Sequence, residues 1–284
     1  MIKNCFHLCT EAISDDVLCR DEADFKAIWN TLAICAMVTH VQIYCICLMS
    51  NHIHILLAGS TERIESFFRL VKQKIGKHIK KRYGKTTAQK LRYELFPVQN
   101  RKAFCQEVAY ILRNPYKAGI CSPLSYRWSS ASAYFNPYPA GAKSISEFHT
   151  KDLRRFLKTR YPLPKNILIK DEVILPSSFV NTRAVEEMFE GSSYLFFNLI
   201  KTWNIEDLVH TSHGQDVPDS YTDQEVLIGI QEICQDLFRN QAPEKLDRKA
   251  LATLARKVRA RFGCSRKQML RVLPVDDYLL DRIL

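Results

Sequence analysis

Residues 41–58 constrain the chain most. Val41 to Leu48 (VQIYCICL) and His52 to Ala58 (HIHILLA) are two runs rich in β-branched and aromatic residues, separated only by Met49-Ser50-Asn51. Runs of that length and composition read as strands, and so short a connection makes them an antiparallel hairpin. The flanks switch to helical periodicity. Acidic residues at Asp21 open a helix to about Val38, and residues 61–83 place Ile64, Phe67, Phe68, Val71 and Ile75 on one apolar stripe with lysines on the other face. A short strand at Asn4–Thr10, another at Tyr93–Val98 and a helix at Lys102–Asn114, which Pro115 should end, complete the series. Strand, helix, two strands, helix, strand, helix predicts an α+β fold of ferredoxin-like type, an antiparallel sheet with helices on one face.

The turn-rich stretch Asn136 to Lys143 (NPYPAGAK) marks a boundary, so the sequence divides into a first domain at 1–138, a linker and helical extension at 139–218, and an all-α unit at 219–284. In the last unit Leu251, Leu254, Ala255 and Val258 share a helical face, Gly263 interrupts, and Ser265 can cap a short helix with Met269, Leu270 and Leu273 buried. That is a helix-turn-helix-like pattern. Its base-reading candidates are Arg266, Lys267 and Gln268, with Arg256, Arg259 and Arg271 as phosphate contacts.

Charge is segregated along the chain. Of the net +11, residues 61–102 carry 13 Lys/Arg against three Glu, and residues 244–271 carry ten against two acids, which leaves the remainder net acidic. Such blocks suit a phosphate backbone and point to nucleic acid, with Lys72, Lys74, Lys77, Lys80 and Lys81 lining its path. The alternative is a pair of solvated helix faces. A membrane partner is not expected, because the apolar stretch 28–49 is broken by Asn30, Thr31, Thr39, His40 and Gln42. With no signal-like leader, the expected location is the cytoplasm. The ten cysteines include no C-x-x-C pair and read as reduced, buried hydrophobes. Gly84-Lys85-Thr86 imitates the end of a P-loop, but Ile79 stands where the first glycine is required, so no nucleotide cofactor is expected.

His52 and His54 alternate along a strand and so project from one side. Two imidazoles under-fill a zinc site, and no nearby Cys or carboxylate is expected to complete one. Tyr110 and Asn114, spaced i and i+4, stack on one helical face that would point off the core; a surface tyrosine above a helix-ending asparagine is the plainer reading. Together, however, LMSNHIHILL, AYILRNPYKAG and YRWSS occur in that order, and this set resembles the Y1 transposase family of single-stranded DNA nucleases with a His-hydrophobe-His motif. The form Y-I-x-x-N-P-x-x-A-G is most similar to the REP-associated tyrosine transposases, and the resemblance spans about residues 1–135.

The resemblance implies that His52, His54 and Asn114 bind Mg²⁺ or Mn²⁺, and that Tyr110 attacks phosphorus to leave a 5′-phosphotyrosine. The partner would be single-stranded, hairpin-containing DNA, the protein would associate with the nucleoid when DNA-bound, and a homodimer stays open. The alternative within the same fold is a non-catalytic hairpin-binding regulator. An RNA-binding module would need sheet aromatics for bases to stack on, and Tyr44 is the one obvious candidate.

Overall fold

The hairpin forms as β2 (Gln42–Leu48) and β3 (Ile53–Ala58), with a register irregularity between Ile43 and Cys45. Two further strands join beyond β3: β1 (Cys5–Thr10) pairs with it, and β4 (Tyr93–Pro97) pairs with β1. The sheet order is β2-β3-β1-β4 and every pair is antiparallel. The structure, a computed structural model, describes residues 4–11, 17–85, 87–136, 140–201, 223–239, 241–262, 264, 266–276 and 279–280. The architecture is mixed α+β, and the chain divides into two units, Met1–Val209 and His210–Leu284.

Helix α1 (Glu22–Thr39) starts where the Asp21 side chain accepts the Asp24 amide, and α2 (Thr61–Tyr83) where Ser60 accepts that of Arg63. Both are N-caps of the expected chemistry. Gly84, at φ +67°, closes α2 in the left-handed conformation that glycine adopts without a Cβ penalty. Helix α3 (Arg101–Lys117) continues through Pro115 instead of stopping before it.

The expectation of helices on one face of the sheet is corrected by the packing. Tyr93 lies opposite Thr10 in the β1–β4 register, and Phe68 of α2 packs on the Tyr93 ring at 4.2 Å, so α2, with α1 against it, covers the face of Leu8 and Thr10. Tyr110 of α3 packs on His7 and His54, which belong to the other face. The reason lies in β3: Ile53, Ile55 and Leu57 are apolar on one side, Leu56 and Ala58 on the other, and all six residues of the strand are buried. Each side needs its own cover.

The boundary expected at 138 also gives way. Residues 143–200 form a second small sheet, order β5-β6-β7 (Lys143–Ser144, Leu168–Lys170, Val173–Ile174), and helices α4 (Thr150–Leu157), α5 (Thr182–Met188) and α6 (Ser193–Ile200). They are folded into the first unit. Trp29 Nε1 donates to the Ile174 carbonyl at 2.8 Å, the Asn30 amide donates to Glu172 O and accepts from Ile174 N, and Arg113 donates to Ile200 O at 2.7 Å. Proline content signals turns, and turns inside a domain look the same as turns between domains.

The second unit packs α7 (Asp223–Leu237), α8 (Arg248–Phe262) and α9 (Arg266–Val272) around Val226, Ile230, Leu254, Val258, Met269 and Leu280. Leu270, expected inside, is exposed, while Val272 is buried. Gln268 is fully buried and donates to Asp223 Oδ1 at 3.1 Å, so its amide is not available to a base edge; Arg271 grips the same carboxylate at 2.8 and 2.9 Å. Arg256 is exposed and Arg259 half-buried. Gly263, Ser265 and the side chains of Arg266 and Lys267 lie outside the described residues. No described helix is long and apolar enough to cross a membrane.

Candidate active site

His52 ends the turn before β3 and His54 lies within it, so both imidazoles emerge on the side covered by α3. Their ring centroids are 4.9 Å apart and nearly perpendicular, and the Tyr110 ring stands 5.6 Å from His54. The structure therefore brings three of the four candidate residues into ring contact. It differs from expectation in depth: His54 is 3% exposed, and Tyr110, at 8%, is inside the core cluster and not off it. Tyr110 faces inward because α3 lies flat on the sheet, and the helical face carrying Val108 and Ile111 is buried together with it.

Asn114 joins them through the backbone of its own helix. Pro115 has no N–H, so the carbonyl of Ile111 loses its helical donor. The Asn114 side-chain amide substitutes, donating to Ile111 O at 3.3 Å and to Tyr110 O at 3.1 Å. This explains why the helix survives the proline. It also leaves Oδ1 as the outward atom of Asn114, and that side chain bonds His52. His52 Nδ1 lies 2.8 Å from Asn51 Oδ1. Burial pulls the His52 pKa below its ordinary 6.5 against the opposing Asn114 bond, with Lys117 adding like charge; the ring is neutral at pH 7, the form that ligates metals.

Three residues of the cluster escaped the sequence reading. His7 Nε2 lies 3.0 Å from His54 Nδ1, His7 Nδ1 lies 2.8 Å from Glu107 Oε2, and Cys9 Sγ lies 4.0 Å from His54 Nε2. The expectation that neither Cys nor carboxylate stands near the histidines is thus overturned, and Cys9 is more than a core filler. Its thiol is pushed up to about 12 by burial, with the Glu94 and Glu107 charges adding. The only signal in sequence was the alternation Cys5, His7, Cys9; it became meaningful through the β1–β3 register, which sets Cys9 opposite His54.

Among the described residues, the ligand atoms of His7, Cys9 and His54 all lie within 4.8 Å of one another. Nδ1 of His54 is engaged by His7 and Nδ1 of His52 by Asn51, so Nε2 is the nitrogen a metal would take on each ring. Two imidazoles, an amide oxygen and a nearby thiol are a donor set that fits a divalent cation.

The basic residues of α2 are not part of this cluster. Lys72 donates to the Leu91 carbonyl at 2.9 Å, and the Lys74 ammonium sits 5.3 Å over the Tyr161 ring. Lys77, Lys80 and Lys81 are exposed. Lys74, Lys77 and Lys81 line a cavity of about 410 Å³ with His78, Lys158 and Tyr161, on the face of the sheet away from α3. Tyr44 is buried edge-on to Phe104, which removes it as a platform for bases.

No family model matches the chain, and no curated protein does. A solved structure of a REP-associated tyrosine transposase bound to a REP hairpin aligns over 49% of this chain and 84% of its own, at 16% identity and a TM-score of 0.39.

Proposed function

We propose that the protein is a metal-dependent single-stranded DNA endonuclease and strand transferase of the Y1 type, acting on hairpin-containing DNA. The observation that carries this reading is the convergence of His52, His54, Tyr110 and Asn114, drawn from two separate sequence motifs, in one cluster whose His54 and Tyr110 are buried. The strand order β2-β3-β1-β4 with antiparallel pairing supports a ferredoxin-like arrangement for residues 5–117.

Tyr110 is the nucleophile in this scheme. Its phenolic oxygen forms a bond to phosphorus, the bond from phosphorus to the 3′ oxygen breaks, and the phenolic proton ends on that leaving oxygen. A 5′-phosphotyrosine and a free 3′-hydroxyl result. Joining is the reverse attack by a 3′-hydroxyl, so the phosphodiester energy is retained and no nucleotide cofactor is needed. Nε2 of His52 and of His54, with Asn114 Oδ1, would hold Mg²⁺ or Mn²⁺. When bound, such an ion polarises the scissile phosphate and favours the phenolate over a phenol of ordinary pKa near ~10. Lys77, Lys80 and Lys81 would contact phosphates along the strand. The unit from 223 onward would act as a helix-turn-helix-like targeting module through Arg256 and Arg259.

The near-complete burial of Tyr110 is the one observation that favours a second reading, a hairpin-binding regulator that does not cut. The two are separated by incubating the protein with labelled single-stranded DNA from the gene's own flanks and Mn²⁺, then running a denaturing gel. A covalent protein–DNA band that needs Mn²⁺ is expected. Hairpin binding with no such band establishes the regulator instead.

A further inference from the structure

The cavity of about 410 Å³ on the face of the sheet away from α3 is walled by α1, α2 and the end of α4. Phe156, Leu157, Lys158 and Tyr161 close it, and they come from beyond the stretch that resembles the Y1 family. Four ammonium groups meet there. Lys74, Lys77 and Lys81 lie at i, i+3 and i+7 along one face of α2, and Lys158 joins them from the C-terminal end of α4. No carboxylate is among the described lining residues. The nearby Asp24 is already held by His78, Arg82 and Tyr83, so it does not neutralise the lysines. Like charges one helical turn apart, as at Lys77 and Lys81, repel. Lys158 registers the same repulsion: burial, then the charges of Lys81 and Arg82, pull its pKa below the ordinary 10.5 against the opposing Asp24. Lys158 also sits at φ +50°, a left-handed helix end that favours glycine. Positive charge held in a concave site against both electrostatics and backbone preference is matched by an anion.

We propose that this cavity binds a nucleotide, its phosphates on Lys74, Lys77, Lys81 and Lys158 and its base on an apolar floor. The buried Ile34 and Leu157, with Leu70 and Phe156, make that floor, while Lys77, Lys81 and Lys158 are exposed at the mouth. The Lys74 ammonium, 5.3 Å over the Tyr161 ring, is held at the wall. A volume of this size suits a small organic ligand and far exceeds what a lone phosphate fills. The nucleotide is either free or an unpaired one carried by a DNA strand, since both present the same base and phosphate chemistry. Where a strand supplies it, Lys77 and Lys81 make their phosphate contacts here. The cavity shares no lining residue with the Tyr110 cluster, so the proposal stands whether or not the protein cuts DNA.

The test uses the whole chain with labelled Ile, Leu and Val methyls, in EDTA so that nothing is cut. Deoxyadenosine triphosphate and a short single-stranded oligonucleotide without a hairpin are titrated separately. The methyl resonances of Ile34, Leu70 and Leu157 should shift. A shift with the triphosphate assigns a free nucleotide, in which case Val108 and Ile111 beside Tyr110 should stay still; a shift with the oligonucleotide alone assigns a strand-borne one. Inorganic triphosphate should bind more weakly than the nucleotide because it leaves the apolar floor uncovered, and equal affinity overturns the assignment of a base to that floor. Lys158→Gly should cost roughly 10-fold in affinity for the probe that binds, read by calorimetry. Its melting temperature should hold or rise, since glycine takes the left-handed helix end freely, and Lys158→Arg should keep the affinity. A merely structural Lys158 would lower the melting temperature in the Gly variant instead. Neither probe shifting these methyls overturns the proposal, even if the Gly variant fails to fold. A folded Lys158→Gly protein with parental affinity overturns it too.

Discussion

At the scale of single residues, the site separates chemistry from scaffolding. Tyr110→Phe removes one oxygen from a ring otherwise held by His7 and His54, so the fold and hairpin affinity should stay near parental while the covalent adduct disappears. An adduct formed by the Phe variant would transfer the nucleophile to another tyrosine, with Tyr116 and Tyr126 the first to examine. His52→Ala and His54→Ala should each cost on the order of 10³-fold in cleavage rate, the several kcal/mol that a Lewis acid supplies. Excess EDTA should reproduce both. Asn114→Ala should be milder at the metal, where water can replace an amide oxygen, but it also uncaps the Ile111 carbonyl that Pro115 leaves without a donor. A melting temperature lowered in Asn114→Ala but unchanged in Tyr110→Phe would separate these two duties.

At the scale of elements, α1 and α2 are locked by one buried carboxylate. Asp24 has no exposed surface and accepts from Arg20 N at 3.0 Å, His78 Nε2 at 2.8 Å, Tyr83 Oη at 2.8 Å and Arg82 at 2.5 Å. Burial raises its pKa, but the four hydrogen bonds together outweigh burial and hold it below the ordinary 3.8. A depressed carboxylate contributes stability that is present above its unfolded pKa and is lost as pH falls through the folded one. Thermal stability should therefore decline from about pH 4 downward. Asp24→Asn should abolish that part of the decline and cost about 3 kcal/mol at pH 7, the low end for breaking a buried ion pair because Arg82 is itself partly exposed. An unchanged acid limb in the Asn variant would assign the pH dependence elsewhere. On the outer face of α2, replacing Lys77, Lys80 and Lys81 by Gln should reduce the log–log salt slope of single-strand binding by roughly 0.7 for each phosphate no longer neutralised. Lys72→Gln should have little effect on that slope, since its ammonium is already given to the Leu91 carbonyl.

For the whole molecule, the decisive matter is where the first unit ends. A chain stopped at residue 138 loses the partners of Trp29, Asn30 and Ile43 and uncovers part of the β2 edge and α3; circular dichroism should show no cooperative melt. A chain stopped at residue 209 keeps those partners. It should fold, attach covalently to a short single-stranded oligonucleotide with Mn²⁺, and lose affinity only for longer flanks that contain duplex. Loss of attachment to the short substrate, or unchanged binding to every substrate, would remove the targeting role from the second unit.

Local pattern in the sequence determined the elements. The runs rich in β-branched and aromatic residues at 41–58 and the period-3.6 stripe at 61–83 became β2, β3 and α2 within a residue or so of their expected limits, because strand propensity and helical periodicity are properties of neighbouring residues. The pairing of His52 with His54 and of Tyr110 with Asn114 was legible for the same reason. What the tertiary structure decided were relations between distant segments. The β1–β3 register put Cys9 opposite His54 and so gathered His7, Cys9 and Glu107 into the site. Both faces of β3 demanded cover, which sent α3 to one side and the lysines of α2 to the other. Residues 143–200 sealed the core that the proline-rich stretch had seemed to close. No window of sequence carries these facts, since they depend on which apolar surfaces meet across 40 to 140 residues of intervening chain.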